Sequence, residues 1–167
     1  MSLTQVQKEM LGGVPTGSAV QVVNTITGAV ATGTTTVTPS DSVPQQSSFG
    51  DQYMTLAITP QSSTNKLRID VVVQFGHSAN IANIFAALFQ DSTANALATA
   101  GYEQANAGRF SSIAFTYFMT AGTTSSTTFK VRLASDTSGT LTFNGSGGGR
   151  YWGGTSASSI TITEIQS

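Results

Sequence analysis

The chain has 167 residues, of which only 9% are charged, and its formal net charge at pH 7 is −1. This composition supplies no basic surface for a nucleic-acid backbone, so we expect no nucleic-acid partner. The absence of cysteine excludes disulfides and thiolate metal sites, and a single domain accounts for the length.

The first thirteen residues form a segment distinct from the rest of the chain. Ser2 and Gln5 match a capping box, and Gly12 and Gly13 end the predicted helix. A helix this short is marginal in water, where about 12 residues are needed, so it requires a partner surface. Two interpretations stay open, a lid on the domain's own core or an anchoring peptide. The apolar residues available to such an anchor are Leu3, Val6, Met10 and Leu11.

No signal sequence follows Met1, and no apolar run approaches the roughly 18 residues of a membrane span. We therefore expect a soluble product of the cytoplasm without membrane insertion.

From residue 14 onward, the sequence predicts short strands separated by turns. Residues 66–75 give the clearest pattern, because apolar side chains recur at every second position from Leu67 to Phe75. Residues 39–50 predict a long surface loop, and residues 96–107 give the weakest pattern. The other predicted strands cover residues 19–23, 25–31, 53–59, 84–90, 109–120, 128–134, 141–143 and 158–165.

Two of these strands are apolar on both faces. Residues 84–90 are almost all apolar, which predicts a strand buried on both sides. In residues 109–120, one face carries Phe115 and Tyr117, and the other carries Ala114 and Phe118. We expect a second subunit to cover the second face of that strand. Eight to ten short strands with regular turns predict an all-β fold, a single antiparallel jelly-roll sandwich over residues 14–167.

Four phrases carry a resemblance to a known family: AITPQSSTNKLRIDVVV (57–73), ALFQDSTANAL (87–97), AGTTSSTTFKVR (121–132) and FNGSGGGRYWGGTSASSITITEI (143–165). They resemble the C-terminal domains of bacteriophage tail fibres and of head or tail spikes. The resemblance covers residues 53–167. It implies a virion protein with the trimeric jelly roll of the tumour-necrosis-factor and complement type, synthesised in the host cytoplasm.

The resemblance also implies partners and an interface. The expected partners are two further copies of the chain and capsid, neck or tail proteins of the particle. The candidate trimer-interface residues are Phe115, Tyr117, Tyr151 and Trp152. The short length fits a compact spike, decoration or tail-tip protein attached through residues 1–13 better than a long fibre.

The sequence contains no catalytic motif. His77 is the only histidine, the eight carboxylates are scattered singly, and the glycines at 145–149 lack the lysine of a phosphate loop. We expect no enzyme, no cofactor and no metal. The alternative is a polysaccharide-degrading virion enzyme, which would require two carboxyl groups within about 5–9 Å of each other.

A glycan on the host surface is the expected ligand, and a purely structural decoration role without ligand is the alternative. The candidate binding loops are 45–51, 80–83 and 102–108, because loops on a rigid sandwich often carry function. Their candidate ligand-binding residues are Asn80, Asn83, Tyr102, Glu103 and Asn106. Tyr151 and Trp152 could stack on a sugar or pack between subunits, and we favour the interface.

Overall fold

The structure is a computed structural model that describes residues 14–167. The N-terminal segment 1–13, with the predicted anchor residues, lies outside the described residues. Twelve strands and one 3-10 turn, Trp152–Gly154, make up the described chain. The strands are β1 (Ala19–Thr27), β2 (Ala31–Gly33), β3 (Asp51–Ile58), β4 (Lys66–His77), β5 (Ala82–Gln90), β6 (Ala98–Gln104), β7 (Phe110–Thr120), β8 (Thr127–Ser135), β9 (Leu141–Phe143), β10 (Gly145–Ser146), β11 (Gly149–Arg150) and β12 (Ser158–Ile165).

Sheet I is built around β4, the strand with the clearest sequence pattern. Along one edge, β4 pairs with β7 over its whole length, from Lys66–Thr120 to Gly76–Phe110. Along the other edge, it pairs first with β12 and then with β9. β1 lies beyond β12, and β2 lies beyond β9. β7 is therefore one edge of sheet I, and β1 and β2 share the other.

Sheet II has the strand order β3-β8-β5-β6, and all of its pairs are antiparallel. Successive long strands alternate between the two sheets: β3 is in sheet II, β4 in sheet I, β5 and β6 in sheet II, β7 in sheet I, β8 in sheet II and β12 in sheet I. This alternation defines the antiparallel jelly roll that the sequence predicts.

The core lies between the two inner faces, and its residues come from alternate positions of the strands. Leu67, Ile69, Val71, Val73 and Phe75 of β4 are buried in one cluster with alternate residues of β5, β8 and β12. Burial of a side chain of this kind contributes about 1.5–3 kcal/mol relative to exposure. The period-two pattern in the sequence is thus the pattern of the core.

A second, smaller cluster lies on the outer face of sheet II. Ala87 and Phe89 of β5 are buried there against Phe49 and Ala134. The cover comes from residues 34–50, which include the predicted loop 39–50 and run across this face. The prediction that residues 84–90 are buried on both sides is confirmed, and the chain itself supplies the second layer.

The two ends of the sandwich differ. At the end we call the terminal end, the first described residues pair with the last, because the Gly17 N–H donates to the Gln166 carbonyl at 2.8 Å. The turns 59–65, 91–97 and 121–126 lie there too. At the opposite end, which we call the loop end, the chain forms the segments 28–30, 78–81, 105–109, 136–140 and 151–157.

Candidate functional site

The loop end brings together the loops that the sequence analysis selected at 80–83 and 102–108. Direct hydrogen bonds connect them to their neighbours: Gly108 N–H donates to the His77 carbonyl at 2.8 Å, and Ser146 Oγ donates to the Gly108 carbonyl at 2.9 Å. Asn80, Glu103 and Asn106 are exposed there. Loops tied to one another and to rigid strands hold a defined surface, as a binding site requires.

Asn83 is part of the scaffold of this surface. Its backbone N–H and its side-chain amide donate to the two carboxylate oxygens of Asp136 at 2.9 and 2.6 Å. These bonds, led by the side-chain amide, hold the pKa of Asp136 below its ordinary value of 3.8. Asn83 also pairs with Glu103 across β5 and β6. A ligand would have to compete with Asp136 for the Asn83 amide, whereas Glu103 is open to solvent.

His77 lies under the loop end with 1% of its surface exposed. Its Nδ1 accepts a hydrogen bond from Ala79 N–H at 3.1 Å, so the ring is held with that nitrogen unprotonated. Burial lowers the pKa of His77 below its ordinary value of 6.5, and the nearby Asp136 carboxylate offsets part of that effect. The Gln104 side chain joins the β4–β5 turn by donating to the carbonyls of His77 and Ala79 at 2.8 and 3.1 Å.

The aromatic residues at this end differ in how much surface they offer. Tyr102 is 36% exposed, and its ring meets Phe75 edge-on with a centroid separation of 5.8 Å. Tyr151 packs edge-on against Phe110 at 5.0 Å. Trp152 is 78% exposed and sits at a left-handed φ of 53°, followed by Gly153 at 64°. Costly backbone conformations cluster at functional sites, so the exposed Trp152 ring is a candidate contact for a ligand or a second subunit.

The outer face of sheet I is a second candidate surface. Thr, Ser and Asn side chains alternate on it with charged and apolar ones, and the Arg68–Asp70 ion pair, with a separation of 2.9 Å, lies on its central strand β4. Three large apolar side chains are exposed on it: Val22 (59%) and Ile26 (68%) on β1, and Phe118 (59%) on β7. Pairing register places Phe118, Arg68, Thr163 and Val22 in one row across the four strands. The apolar groups therefore occupy opposite edges of one face.

Phe115 and Tyr117, two of the candidate interface residues, lie on the other face of β7. They point inward, are half-buried, and pack against the core cluster at the edge of the sandwich. Their role at an interface stays a prediction. The sequence analysis named Phe118 on the second apolar face of β7, but it did not select Val22 or Ile26 of β1.

Within residues 14–167, no group of three or more His, Asp or Glu side chains is placed to hold a metal ion. In the same range, no helix has the length and apolar character needed to cross a membrane. The predictions that the chain is not an enzyme and that it uses no cofactor stay predictions.

Comparison with known proteins gives similarities to solved structures alone, since no family model and no curated protein matches the sequence. The chain is similar to Eiger TNF from S. frugiperda at 13% identity and a TM-score of 0.36, over 61% of this chain and 60% of that one. Similarity to the T13 particle of infectious bursal disease virus covers 93% of this chain and 37% of that one, at 13% identity and a TM-score of 0.41. The chain is also similar to dimeric latent PorU from Porphyromonas gingivalis, over 92% of this chain and 14% of that one, at 9% identity and a TM-score of 0.39. The chain spans less than two thirds of each of these proteins.

Proposed function

We propose that this chain is a homotrimeric structural protein of a bacteriophage particle, attached through residues 1–13 and presenting its loop end to glycans of the host surface. The role is binding without catalysis. Support for the virion assignment comes from the four phrases that resemble phage fibre and spike domains. Three of them fall on β4, β5 and β8 and on the turns of the terminal end, and the fourth runs from the end of β9 through the loop-end segment 151–157 into β12.

The observation that carries the proposal is that the start of the described chain and the loop end lie at opposite ends of the sandwich. The described chain begins near the C-terminal residues, and the candidate binding loops 80–83 and 102–108 lie at the opposite end, whereas the third candidate loop, 45–51, runs along the outer face of sheet II from the terminal end. The 12 residues of β4 run from one end to the other. At a rise of about 3.4 Å per residue, this separates them by roughly 37 Å. A protein held at residues 1–13 would therefore turn its loop end away from the particle.

The trimer is supported by the arrangement of apolar residues on sheet I. Phe118 lies at one edge of the outer face, and Val22 and Ile26 lie at the other, so the two patches are different and face different neighbours. Contacts between two unlike patches are head-to-tail, and such contacts close into a ring when the rotation allows it. In the proposed ring, Phe118 of each subunit packs on the β1 edge of the next. Several weak glycan sites on one trimer would then combine into useful avidity.

The trimer contact is tested by the mass of the protein in solution. Phe118→Glu places a charge in the proposed contact, whereas Gln52→Glu adds the same charge to an exposed position of β3 in sheet II. We expect a three-fold mass for the wild type and for Gln52→Glu, and a monomer for Phe118→Glu. A wild-type monomer, or a trimer that survives Phe118→Glu, would contradict the proposed contact.

The roles of Trp152 and of the N-terminal segment need separate tests. If the exposed Trp152 ring contacts a glycan, Trp152→Ser removes binding on a glycan array and leaves the mass unchanged. If the ring packs between subunits, the same variant lowers the mass. For attachment, a chain that starts at Val14 should fold but fail to enter particles assembled in infected cells. Equal incorporation of the two chains would refute attachment through residues 1–13.

A further inference from the structure

A cavity of about 530 Å³ lies between loop 34–50 and the outer face of sheet II. It is separate from the loop end and from the outer face of sheet I. A volume of this size is within the range of pockets that hold small molecules, roughly 300–1,000 Å³.

The loop over the cavity is fixed at both of its ends. Near the loop end, Val37 N–H donates to the Ser135 carbonyl at 2.8 Å. Near the terminal end, Gln46 N–H donates to the Ala94 carbonyl at 2.7 Å, and Ala96 N–H donates to the Pro44 carbonyl at 2.9 Å. Pro39 lies between these anchors and Pro44 is part of the second one, and both restrict the backbone. The middle of the loop is therefore held above the sheet, and the cavity is a built feature of the fold.

The floor of the cavity is formed by Phe85, which is half-buried on the outer face of β5. Its ring lies against Gly101 of β6, where an added Cβ would approach two ring carbons to 3.2 and 3.3 Å. Because Gly101 has no side chain, the Phe85 ring can lie against its backbone. Phe85 and Thr99 both border the cavity.

The walls combine apolar surface with hydroxyl groups. Val37, Val43 and Phe49 supply much of the apolar part, and six Ser and Thr residues, among them Ser42 and Thr99, supply hydroxyls. Within residues 14–167, no Asp, Glu, Lys, Arg or His lines the cavity. A charged ligand would lose its hydration here without gaining a charged partner, so the chemistry favours a neutral one. Hydroxyls beside an aromatic ring suit a molecule with both an apolar face and several OH groups.

We propose that this cavity binds one residue of a neutral 6-deoxyhexose. The apolar face of such a sugar would lie on Phe85, its methyl group would contact the Val37 and Val43 side chains, and its hydroxyls would pair with the Ser and Thr side chains. The proposed binding of a sugar rests on the cavity alone, whereas its biological use rests on the proposed function, in which the protein meets host glycans.

The test is a titration followed by amide NMR signals of the full chain, with L-rhamnose and L-fucose as probes and D-glucuronate as the charged comparison. We expect a Kd on the order of 1 mM for at least one neutral probe, with shifts at Val37, Val43 and Phe85 and none with glucuronate. Val43→Arg changes a side chain that is 51% exposed at the rim, so the fold should survive, and it should weaken binding at least tenfold. Val14→Arg, at a site that is 46% exposed at the terminal end, is the matched control and should bind as the wild type does.

Three results would overturn the proposal: no shifts up to about 50 mM of either neutral sugar, binding unchanged in Val43→Arg, or shifts at the cavity with benzene but with neither sugar. The last result would show a merely apolar cavity. Sugar-induced shifts at the loop end alone would overturn this site and leave the proposed function standing. Failure of the proposed function would instead appear in the mass and in particle incorporation, which this titration does not measure.

Discussion

Glu164 offers the sharpest test of how the terminal end is held together. Its side chain is fully buried in β12 and accepts four hydrogen bonds from the β3–β4 turn. Gln61 N–H donates to its two carboxylate oxygens at 2.8 and 3.0 Å, Ser62 N–H donates at 3.1 Å, and the Asn65 side-chain amide donates at 2.7 Å. Within the described part of the chain, no cation pairs with it. The negative charge is therefore stabilised by N–H groups alone.

The replacement Glu164→Ala leaves three buried or half-buried donors without their acceptor. A hydrogen bond to a charged group is worth about 1.5–3 kcal/mol, and part of the loss is recovered when water reaches the turn. We therefore expect Glu164→Ala to lower the free energy of unfolding by about 3–5 kcal/mol. Glu164→Gln keeps one acceptor oxygen but turns an NH₂ group toward other donors, and we expect a cost of about 1–3 kcal/mol.

The assay is urea unfolding at one fixed protein concentration, since association would otherwise shift the apparent stability. With a slope of about 2 kcal/mol per molar urea, Glu164→Ala should lower the midpoint by roughly 1.5–2.5 M. Glu103→Gln, which changes an exposed carboxylate, is the control and should stay within about 0.5 kcal/mol of the wild type. A cost below about 1 kcal/mol for Glu164→Ala would refute the reasoning, because the turn would then be held by other contacts.

Two further predictions concern the loop end. Because the folded-state pKa of His77 lies below its ordinary value of 6.5, the free energy of unfolding should be fully retained above pH 6.5 and fall as the pH drops below it. His77→Asn, whose side-chain oxygen can replace Nδ1 as acceptor, should flatten that slope in urea titrations between about pH 5 and 7, and an unchanged slope would assign it to other groups. Asn144 is buried at a φ of 56° and donates to the carbonyls of Thr27 and Ala29 at 2.8 and 2.9 Å. Asn144→Ala should therefore cost about 1 kcal/mol more than Asn144→Gly in the same assay, and equal costs would mean that the backbone conformation is not what Asn144 secures.

The alternation of apolar residues was enough to predict the sandwich, since burial of one face is a local property of each strand. The pattern of β4 gave the correct face at every position from Leu67 to Phe75. β6 was harder, because Ala, Thr and Gly produce almost no contrast between faces, and its place follows from pairing with β5. The Gly-rich segment 145–149, which the sequence analysis compared with a phosphate loop, forms most of the β10–β11 hairpin, with Gly147 and Gly148 at left-handed φ.

What covers an apolar face could not be predicted from the face itself. β5 and β7 both carry apolar residues on two faces, and the sequence analysis predicted that each strand is covered on both of them. For β5, residues 34–50 of the same chain supply the second cover, which depends on long-range bonds such as Arg132 Nε to the Phe49 carbonyl at 2.6 Å. For β7, the outer side chain of Phe118 remains exposed. The cavity under the loop was hidden for the same reason, since its residues are separated by up to 63 positions in the chain.

The candidate ligand residues were found together at the loop end, but their individual roles could not be read from their types. An Asn at a strand start looks the same in sequence whether its amide faces a ligand or, like Asn83, donates to Asp136. Polar side chains near a site commonly serve as its scaffold, so the exposed Asn80, Glu103 and Asn106 are the better positions for substitution.

The most direct test of the central claim is the solution mass, by light scattering, of the full chain and of the chain that starts at Val14. An independent trimeric domain that carries a separate attachment segment predicts a three-fold mass for both proteins. A monomer in both forms would contradict the trimer and would leave the exposed Phe118, Val22 and Ile26 without a partner copy. A trimer lost on removal of residues 1–13 would contradict the assignment of that segment to attachment alone.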